Sequence, residues 1–286
     1  MEYVTLSNGV KMPQLGYGVY QVSADECERC VLDALSVGYR SIDTAQAYYN
    51  EKEVGNAIRK SGILREEIFL TTKVWLENYG EEQARKSVLE SLDKLKTDYL
   101  DLVLLHQPFG DAYGAWRALV KLYQEGRVRA IGISNFYPDR LVEFSTFNSV
   151  RPMVNQVEIH PHDQQGEALK WMRKYGVQPE AWAPLGEGRG GLFDNGILCA
   201  IGSKYGKTSA QVMIRWNLQR GVVVIPKSTH IERMRENFDV FGFTLSEEDM
   251  AAVASLDKAE SSFFSHQDPA TVEWFAQLVD ARRGKS

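Results

Sequence analysis

Four residues that can bind or release protons lie at or just beyond the ends of three apolar runs. Asp43, Lys73 and His106 each stand at the end of such a run, and Tyr48 follows shortly after Asp43. A lysine ammonium beside a phenol favours the phenolate, so we expect Lys73 to lower the pKa of Tyr48. Asp43 would hold that ammonium in place, and His106 could donate a hydrogen bond to a carbonyl oxygen. The group is therefore suited to protonating an oxygen on which negative charge develops.

Each of these residues also has a plainer explanation when it is taken alone. Aspartate–lysine pairs are common on protein surfaces, tyrosines are common in loops, and a lone histidine usually bonds to an ordinary neighbour. Catalysis is favoured by the position that all four share, because the C-terminal ends of barrel strands meet at one rim.

Short β-like runs alternate with helical patterns through most of the chain, and together they make eight β/α units. Strict alternation implies right-handed crossovers and a parallel sheet. Eight units within about 250 residues predict an α/β fold of the (β/α)8 TIM-barrel type. The predicted strands are 14–18, 39–43, 68–74, 99–106, 128–133, 153–159, 177–183 and 222–225, and the predicted helices are 24–37, 50–60, 81–95, 113–124, 137–146, 165–174, 208–219 and 231–239.

An N-terminal hairpin and a C-terminal tail flank the predicted barrel. The hairpin covers residues 4–12 and has an Asn-Gly turn at Asn8, the strongest short hairpin signal. The tail after about Glu260 is expected to lie across the barrel. A doubly wound sheet is the structural alternative, but it usually shows a glycine-rich turn after its first strand, and the run ending at Gly18 lacks a third glycine. We therefore expect residues 1–286 to form a single domain.

The bulk composition argues against several classes of protein. The net charge of −5 gives no general attraction to nucleic acid or anionic membranes. No apolar stretch approaches the roughly 20 residues that span a bilayer, and the first residues do not resemble a signal peptide. Three cysteines cannot all pair with one another. The sequence predicts a reduced, cytoplasmic protein, and a monomer is favoured.

Three short patterns suggest a metal or nucleotide site, but other observations argue against each. Cys27 and Cys30 form a C-x-x-C pattern within a predicted helix and have no second pair. His160 and His162 lack a third convincing ligand, so no metal is expected. Residues 186–191 fit a dinucleotide fingerprint, yet no helix opens on the last glycine and no acid follows at the required distance. We expect that segment to be a loop that can close over a cofactor.

The residues around the reactive group resemble the aldo-keto reductase family. The segments that carry the resemblance are 38–51, 71–75 and 101–106. It extends from the N-terminal hairpin to about Asp239 and implies a barrel that binds NADPH in an extended form and reduces aldehydes or ketones to alcohols. The resemblance places the general acid at Tyr48 and its supporting pair at Lys73 and Asp43. The substrate-orienting residue falls on His106.

Roles in cofactor binding follow from the same resemblance and from the phosphate site that barrels usually carry beside their last two strands. Lys227 and Arg233 are suited to a 2′-phosphate, which favours NADPH over NADH. Trp182 stands where the family usually stacks a tyrosine on the nicotinamide. Ala183 replaces a common serine, so no side-chain hydrogen bond to the pyrophosphate is expected there. The other predicted cofactor residues are Ser134, Asn135 and Gln156 at the carboxamide, Ser228 at the phosphate, Glu236 and Asn237 at the adenine, and Leu185.

The substrate side is expected to be formed by two aromatic residues together with His106. Tyr20 and Trp75 match aromatic positions of the family's substrate pocket. Gln107 stands where many relatives have tryptophan after the histidine, which makes this wall more polar. The change favours small polar carbonyl compounds as substrates.

Two other functions compete with carbonyl reduction. A Schiff-base aldolase on the same barrel would use Lys73 as its nucleophile, but it would need that lysine unpaired, and Asp43 argues against this. A sensor or regulatory subunit that binds NADPH without turnover would keep the fold and the cofactor site. It would have no need of a proton donor, so the complete group of four favours the reductase.

Overall fold

The strands of the computed structural model, which describes residues 1–283, form a closed parallel barrel. The barrel strands are β3 (Tyr17–Gly18), β4 (Ser41–Asp43), β5 (Phe69–Val74), β6 (Leu102–Leu105), β7 (Ile131–Ser134), β8 (Val154–Glu158), β9 (Gln178–Trp182) and β10 (Val223–Val224). Each strand pairs in parallel with the next in chain order. Leu15 bridges Val224, and the backbone N–H of Gly16 donates to the Val224 carbonyl at 2.8 Å. This contact joins the two ends of the sheet, and the predicted (β/α)8 barrel is confirmed.

The eight predicted helices are all present, and no helix end differs from its predicted position by more than one residue. Within residues 1–283 three helices were not predicted: α7 (Gly196–Tyr205), α10 (Glu247–Ala254) and α11 (Pro269–Arg283). The first two carry capping signals, since the side chain of Asn195 accepts from two N–H groups of α7 and Ser246 forms a capping box with Asp249 in α10. The helices are α1 (Ala24–Val37), α2 (Glu51–Lys60), α3 (Glu81–Leu95), α4 (Ala112–Gln124), α5 (Pro138–Phe147), α6 (Gly166–Tyr175), α7 (Gly196–Tyr205), α8 (Ser209–Gln219), α9 (Ile231–Phe238), α10 (Glu247–Ala254) and α11 (Pro269–Arg283).

The barrel strands are buried on both faces, as expected for a parallel sheet covered by helices. Every residue of β5 and β6 is buried. A few polar and charged side chains interrupt this apolar interior, and they include Asp43, Lys73, Gln156 and Glu180. Buried charges are costly unless they are paired, so each of these side chains needs a partner nearby.

The N-terminal hairpin lies at the end of the barrel where the strands begin. It pairs β1 (Tyr3–Thr5) with β2 (Lys11–Pro13), and Gly9 takes a φ of +86° in the turn, a conformation that glycine adopts easily. The Asn8 side chain donates to the Arg129 carbonyl, just before β7, at 2.9 Å. The predicted hairpin is thus confirmed, and it leaves the C-terminal ends of the strands accessible.

The C-terminal tail crosses the opposite end of the barrel, as predicted, and it ends in the fifteen-residue helix α11. Phe275 of this helix packs against Trp75 and Phe109, with ring centroids 5.9 and 5.5 Å away. The tail therefore forms part of the wall around the strand ends. Within residues 1–283, no helix is long and apolar enough to cross a membrane.

Candidate active site

A cavity of about 790 Å³ opens at the C-terminal ends of the barrel strands. Asp43 reaches it from the end of β4, and His106 reaches it from the residue after β6. Tyr48 reaches it from a short helical turn at Gln46–Tyr48. Lys73, near the end of β5, lies beneath the other three and is completely buried. The structure therefore brings together all four residues that the sequence singled out.

Lys73 joins two members of the group. Its ammonium forms an ion pair with the Asp43 carboxylate and donates to the Tyr48 hydroxyl at 3.3 Å and to the Thr44 carbonyl at 3.1 Å. Burial opposes the charge on Lys73, but the neighbouring Asp43 and Tyr48 outweigh it and raise the pKa of the lysine. The ammonium is therefore held charged directly beside the phenol.

The acidity of Tyr48 differs from the prediction. Burial raises the pKa of Tyr48 to about 12, and Lys73, although it acts in the opposite direction, does not overcome this effect. The expectation that Lys73 would bring the pKa of Tyr48 below its ordinary value is therefore wrong. The sequence identified the ammonium correctly, but it could not show how the packing around Tyr48 would act against it. At neutral pH the Tyr48 hydroxyl keeps its proton.

His106 is held neutral. Burial keeps the pKa of His106 well below its usual value, and the nearby charge of Lys73 adds to the effect. The His106 ring makes edge contacts with Tyr48 and Trp75, with centroid distances of 5.6 and 5.0 Å. Its buried Nδ1 has no hydrogen-bond partner within residues 1–283. A neutral imidazole donates from one nitrogen only, and a hydrogen on Nε2 would give the cavity a donor.

Gln156 connects the reactive group to an acid that the sequence analysis missed. The Gln156 amide nitrogen donates to Asp43 Oδ2 and to Glu180 Oε2, each at 3.0 Å. Glu180 is buried in the middle of β9, and burial, followed by the charge of Asp43, raises its pKa. A glutamate inside a predicted buried strand was the signal that could have identified it.

The predicted cofactor residues divide into two groups. Seven line the cavity, and they are Ser134, Asn135, Gln156, Trp182, Leu185, Lys227 and Arg233. Ser228, Glu236 and Asn237 lie outside its lining. Ser228 accepts from the backbone N–H of His230 at 3.0 Å, and Glu236 accepts from the Thr208 hydroxyl at 2.7 Å. Their roles at a phosphate and an adenine remain predictions.

The substrate side of the cavity contains both predicted aromatic residues. Tyr20 is half-exposed and lies 5.1 Å from the Tyr48 ring, centroid to centroid, whereas Trp75 is buried beside His106. The sequence predicts that the tail lies across the barrel but assigns none of its residues to the cavity wall, although its aromatic residues were a signal. The tail residues that line the cavity are Phe263, Phe264, Trp274, Phe275, Leu278 and Arg282.

Contacts between the glycine-rich loop and the tail cover one side of the cavity. Arg189 of this loop donates to the Ser262 carbonyl at 3.0 Å, and its guanidinium lies 4.2 Å from the centre of the Phe263 ring. Glu158 accepts from the Ser261 hydroxyl at 2.6 Å and from His160 at 2.8 Å. His160, one of the two histidines that resemble metal ligands in the sequence, thus bonds to Glu158, and Glu158 holds the tail in place.

Fold and site together define a barrel enzyme with an Asp-Tyr-Lys-His group at the rim. The model of the aldo/keto reductase family matches residues 6–258, and the chain belongs to this family. As a member of it, the protein is an oxidoreductase.

Named relatives cover nearly the whole chain. The chain is 48% identical over 259 residues to the glyoxal reductase of Bacillus subtilis (strain 168), covering 90% of this chain and 93% of that one. It is 43% identical over 260 residues to the methylglyoxal reductase DkgA of Escherichia coli (strain K12), covering 90% and 94%. Among solved structures, an aldo-keto reductase of Bombyx mori in complex with NADP matches with a TM-score of 0.89 and 31% identity, covering 95% and 96%.

Proposed function

We propose that the protein reduces aldehydes and ketones to alcohols with NADPH, using Tyr48 as the general acid. The observation that carries the proposal is the contact of Lys73 with both Asp43 and Tyr48 beneath a cavity that His106 also lines. A protonated phenol and a neutral imidazole are two donors that can meet one carbonyl oxygen.

The cavity residues fit the proposed cofactor. Trp182 offers an aromatic face, Asn135 offers an amide, and Lys227 and Arg233 bring two positive charges to the same cavity. Such charges suit the 2′-phosphate that distinguishes NADPH from NADH. When bound, NADPH would supply the hydride that no side chain can provide.

The chain's own residues control the proton. As negative charge develops on the carbonyl oxygen, Tyr48 gives it the hydroxyl proton, and His106 donates a hydrogen bond to the same oxygen. Because the pKa of Tyr48 is raised to about 12, the proton stays on the phenol until that charge appears. The phenolate that remains lies beside the Lys73 ammonium, which stabilises it until a proton returns from solvent. Alcohol oxidation would use the same groups in reverse.

The burial of Lys73 disfavours the aldolase alternative. A Schiff-base nucleophile needs a neutral amine with access to substrate, whereas this lysine is completely buried and ion-paired with Asp43. A sensor or regulatory subunit that binds NADPH without turnover remains the second candidate. The carbonyl compounds named for the relatives, glyoxal and methylglyoxal, suggest small dicarbonyls as the first substrates to test. A single domain and a monomeric, cytoplasmic protein remain predictions.

The proposal is tested by following NADPH oxidation by absorbance with a panel of aldehydes, ketones, dicarbonyls and sugar acids. Tyr48→Phe should lower turnover by about 10²- to 10⁴-fold while NADPH still binds, as measured by quenching of tryptophan fluorescence. Tyr49→Phe is the matched control, because Tyr49 is 67% exposed and is absent from the cavity lining. Near-normal turnover in Tyr48→Phe would refute the assignment, and NADPH binding without any turnover in the wild type would favour the sensor.

A further inference from the structure

Gln107 forms a polar part of the cavity wall directly beside His106. Its backbone is fixed by Tyr79, whose hydroxyl donates to the Gln107 carbonyl at 2.7 Å and accepts from the Gln107 N–H at 3.1 Å. Its side chain is 5% exposed, so the amide has little freedom to move. For a substrate, the important question is whether the oxygen or the nitrogen of this amide faces the cavity.

A chain of hydrogen bonds fixes the direction of the Gln107 amide. An indole nitrogen can only donate, and Trp182 Nε1 donates to Asn135 Oδ1 at 2.8 Å. The Asn135 nitrogen must therefore point the other way, where it lies 3.4 Å from Gln107 Oε1 and 3.2 Å from both the His106 carbonyl and Ser134 Oγ. If the Gln107 amide were reversed, its N–H₂ group would face the N–H₂ group of Asn135 and two donors would meet, so the oxygen of the Gln107 amide faces Asn135.

His266 of the tail contacts the same oxygen from the other side, and its Nε2–H tautomer donates to it. Its Nε2 lies 2.8 Å from Gln107 Oε1, and the ring stacks on Phe109 and Phe275 at centroid distances of 6.0 and 6.1 Å. Burial lowers the pKa of His266 to about 4, so the ring is neutral and donates from one nitrogen. With His266 and Asn135 both on Oε1, no acceptor within residues 1–283 is bonded to the Gln107 amide nitrogen.

We propose that Gln107 determines substrate specificity by donating its side-chain N–H to a second oxygen of the substrate, on the carbon next to the reacting carbonyl. This inference rests on the proposed function and deepens it. Tyr48 and His106 bind the oxygen that is reduced, and Gln107 binds its neighbour, so the preferred substrates are vicinal dicarbonyl compounds. His266 acts as a positioning residue, because it contacts Gln107 and orients its amide.

Methylglyoxal and propanal form a suitable pair of probes, because they differ only in whether a carbonyl or a methylene group adjoins the aldehyde. Gln107→Leu keeps the approximate volume of the side chain and removes the donor. The variant should lose about tenfold in kcat/KM for methylglyoxal, which corresponds to about 1.4 kcal/mol, and the loss should fall mainly on KM. For propanal the loss should be several-fold smaller than for methylglyoxal, since propanal has no second oxygen to accept from Gln107.

His266→Phe tests the positioning role with a second variant. Phenylalanine can keep the stacking on Phe109 and Phe275 but cannot donate to Gln107. The kcat/KM for methylglyoxal should fall by a smaller factor than in Gln107→Leu, and that for propanal should again fall less than that for methylglyoxal. A purely structural role of His266 would move both substrates together, which would overturn the positioning role.

The outcomes distinguish this inference from the function on which it rests. A selective loss for methylglyoxal in Gln107→Leu supports the second-oxygen contact. Equal losses for both substrates, or no loss for either, would overturn it while leaving the reductase function intact. If the wild type reduces neither compound nor any other carbonyl, the proposed function fails, and the role of Gln107 fails with it.

Discussion

Replacing Lys73 by methionine should separate the electrostatic role of the ammonium from its structural role. The ammonium lies 3.3 Å from the Tyr48 oxygen. At an effective dielectric constant of about 20, a unit charge at this distance stabilises a phenolate by about 5 kcal/mol. Losing that stabilisation should slow proton donation by roughly 10³- to 10⁴-fold.

The same change should also destabilise the fold. Asp43 is 2% exposed, and without Lys73 the remaining bond to its carboxylate among residues 1–283 would be the one from Gln156. Removing one partner of a buried ion pair lowers the free energy of unfolding by about 3–5 kcal/mol. Asp43→Asn combined with Lys73→Met removes both charges, so most of the stability should return while the activity stays low.

The assay combines urea denaturation with turnover of a carbonyl substrate by the two variants. Lys60→Met is the control for loss of a lysine charge, because Lys60 pairs with Glu28 on the surface, where its side chain is 62% exposed. Such surface pairs contribute about 0–1 kcal/mol. Normal turnover by Lys73→Met, or recovery of activity together with stability in the double variant, would refute the reasoning.

Three other side chains give predictions that can be measured separately. Arg233→Met should raise the KM for NADPH about tenfold through loss of a charge-assisted hydrogen bond. The KM for NADH should stay nearly unchanged, and equal changes in the two KM values would contradict the 2′-phosphate contact. Because burial lowers the pKa of His266 to about 4 in the folded protein, this histidine binds a proton at a higher pH in the unfolded chain than in the folded one. The free energy of unfolding should therefore drop by about 3 kcal/mol between about pH 7 and pH 4. Urea titrations of His266→Phe at several pH values should not show this drop. Burial raises the pKa of Glu180, so the folded form loses stability relative to the unfolded chain as pH rises above the usual glutamate range. The free energy of unfolding of Glu180→Gln, measured relative to the wild type by urea titration, should thus be higher near pH 8 than at pH 5. An equal difference between the two proteins at both pH values would contradict this.

The sequence was sufficient for the barrel and for the group of four, because both depend on local patterns. Alternating apolar runs and helical periods predict the strands and their parallel order, and the rule that active sites gather at strand ends then brings Asp43, Lys73 and His106 to one rim. Short capped helices were harder to predict. The capping box at Ser246 marks the start of α10, but the helix has only eight residues and little apolar periodicity.

Properties that depend on distant contacts could not be predicted from the sequence. The contact between Gln107 and His266 joins residues 159 positions apart, and no local pattern indicates it. The acidity of Tyr48 depends on a balance between burial and the charge of Lys73. The sequence shows that the charge is present, but only the packed structure shows that burial outweighs it.

The hydrogen bonds of Gln156 restrict which of its side-chain atoms could bind a cofactor. Its amide nitrogen carries two hydrogens, and these go to Asp43 and Glu180. Its oxygen is then the part of the side chain that can still form a bond, and that oxygen can only accept. A nicotinamide carboxamide that meets Gln156 must therefore present its N–H₂ group to it. The carbonyl oxygen of the carboxamide would have to find its donor elsewhere. Asn135 does not have one to spare, because its amide nitrogen already faces the His106 carbonyl, Gln107 Oε1 and Ser134 Oγ.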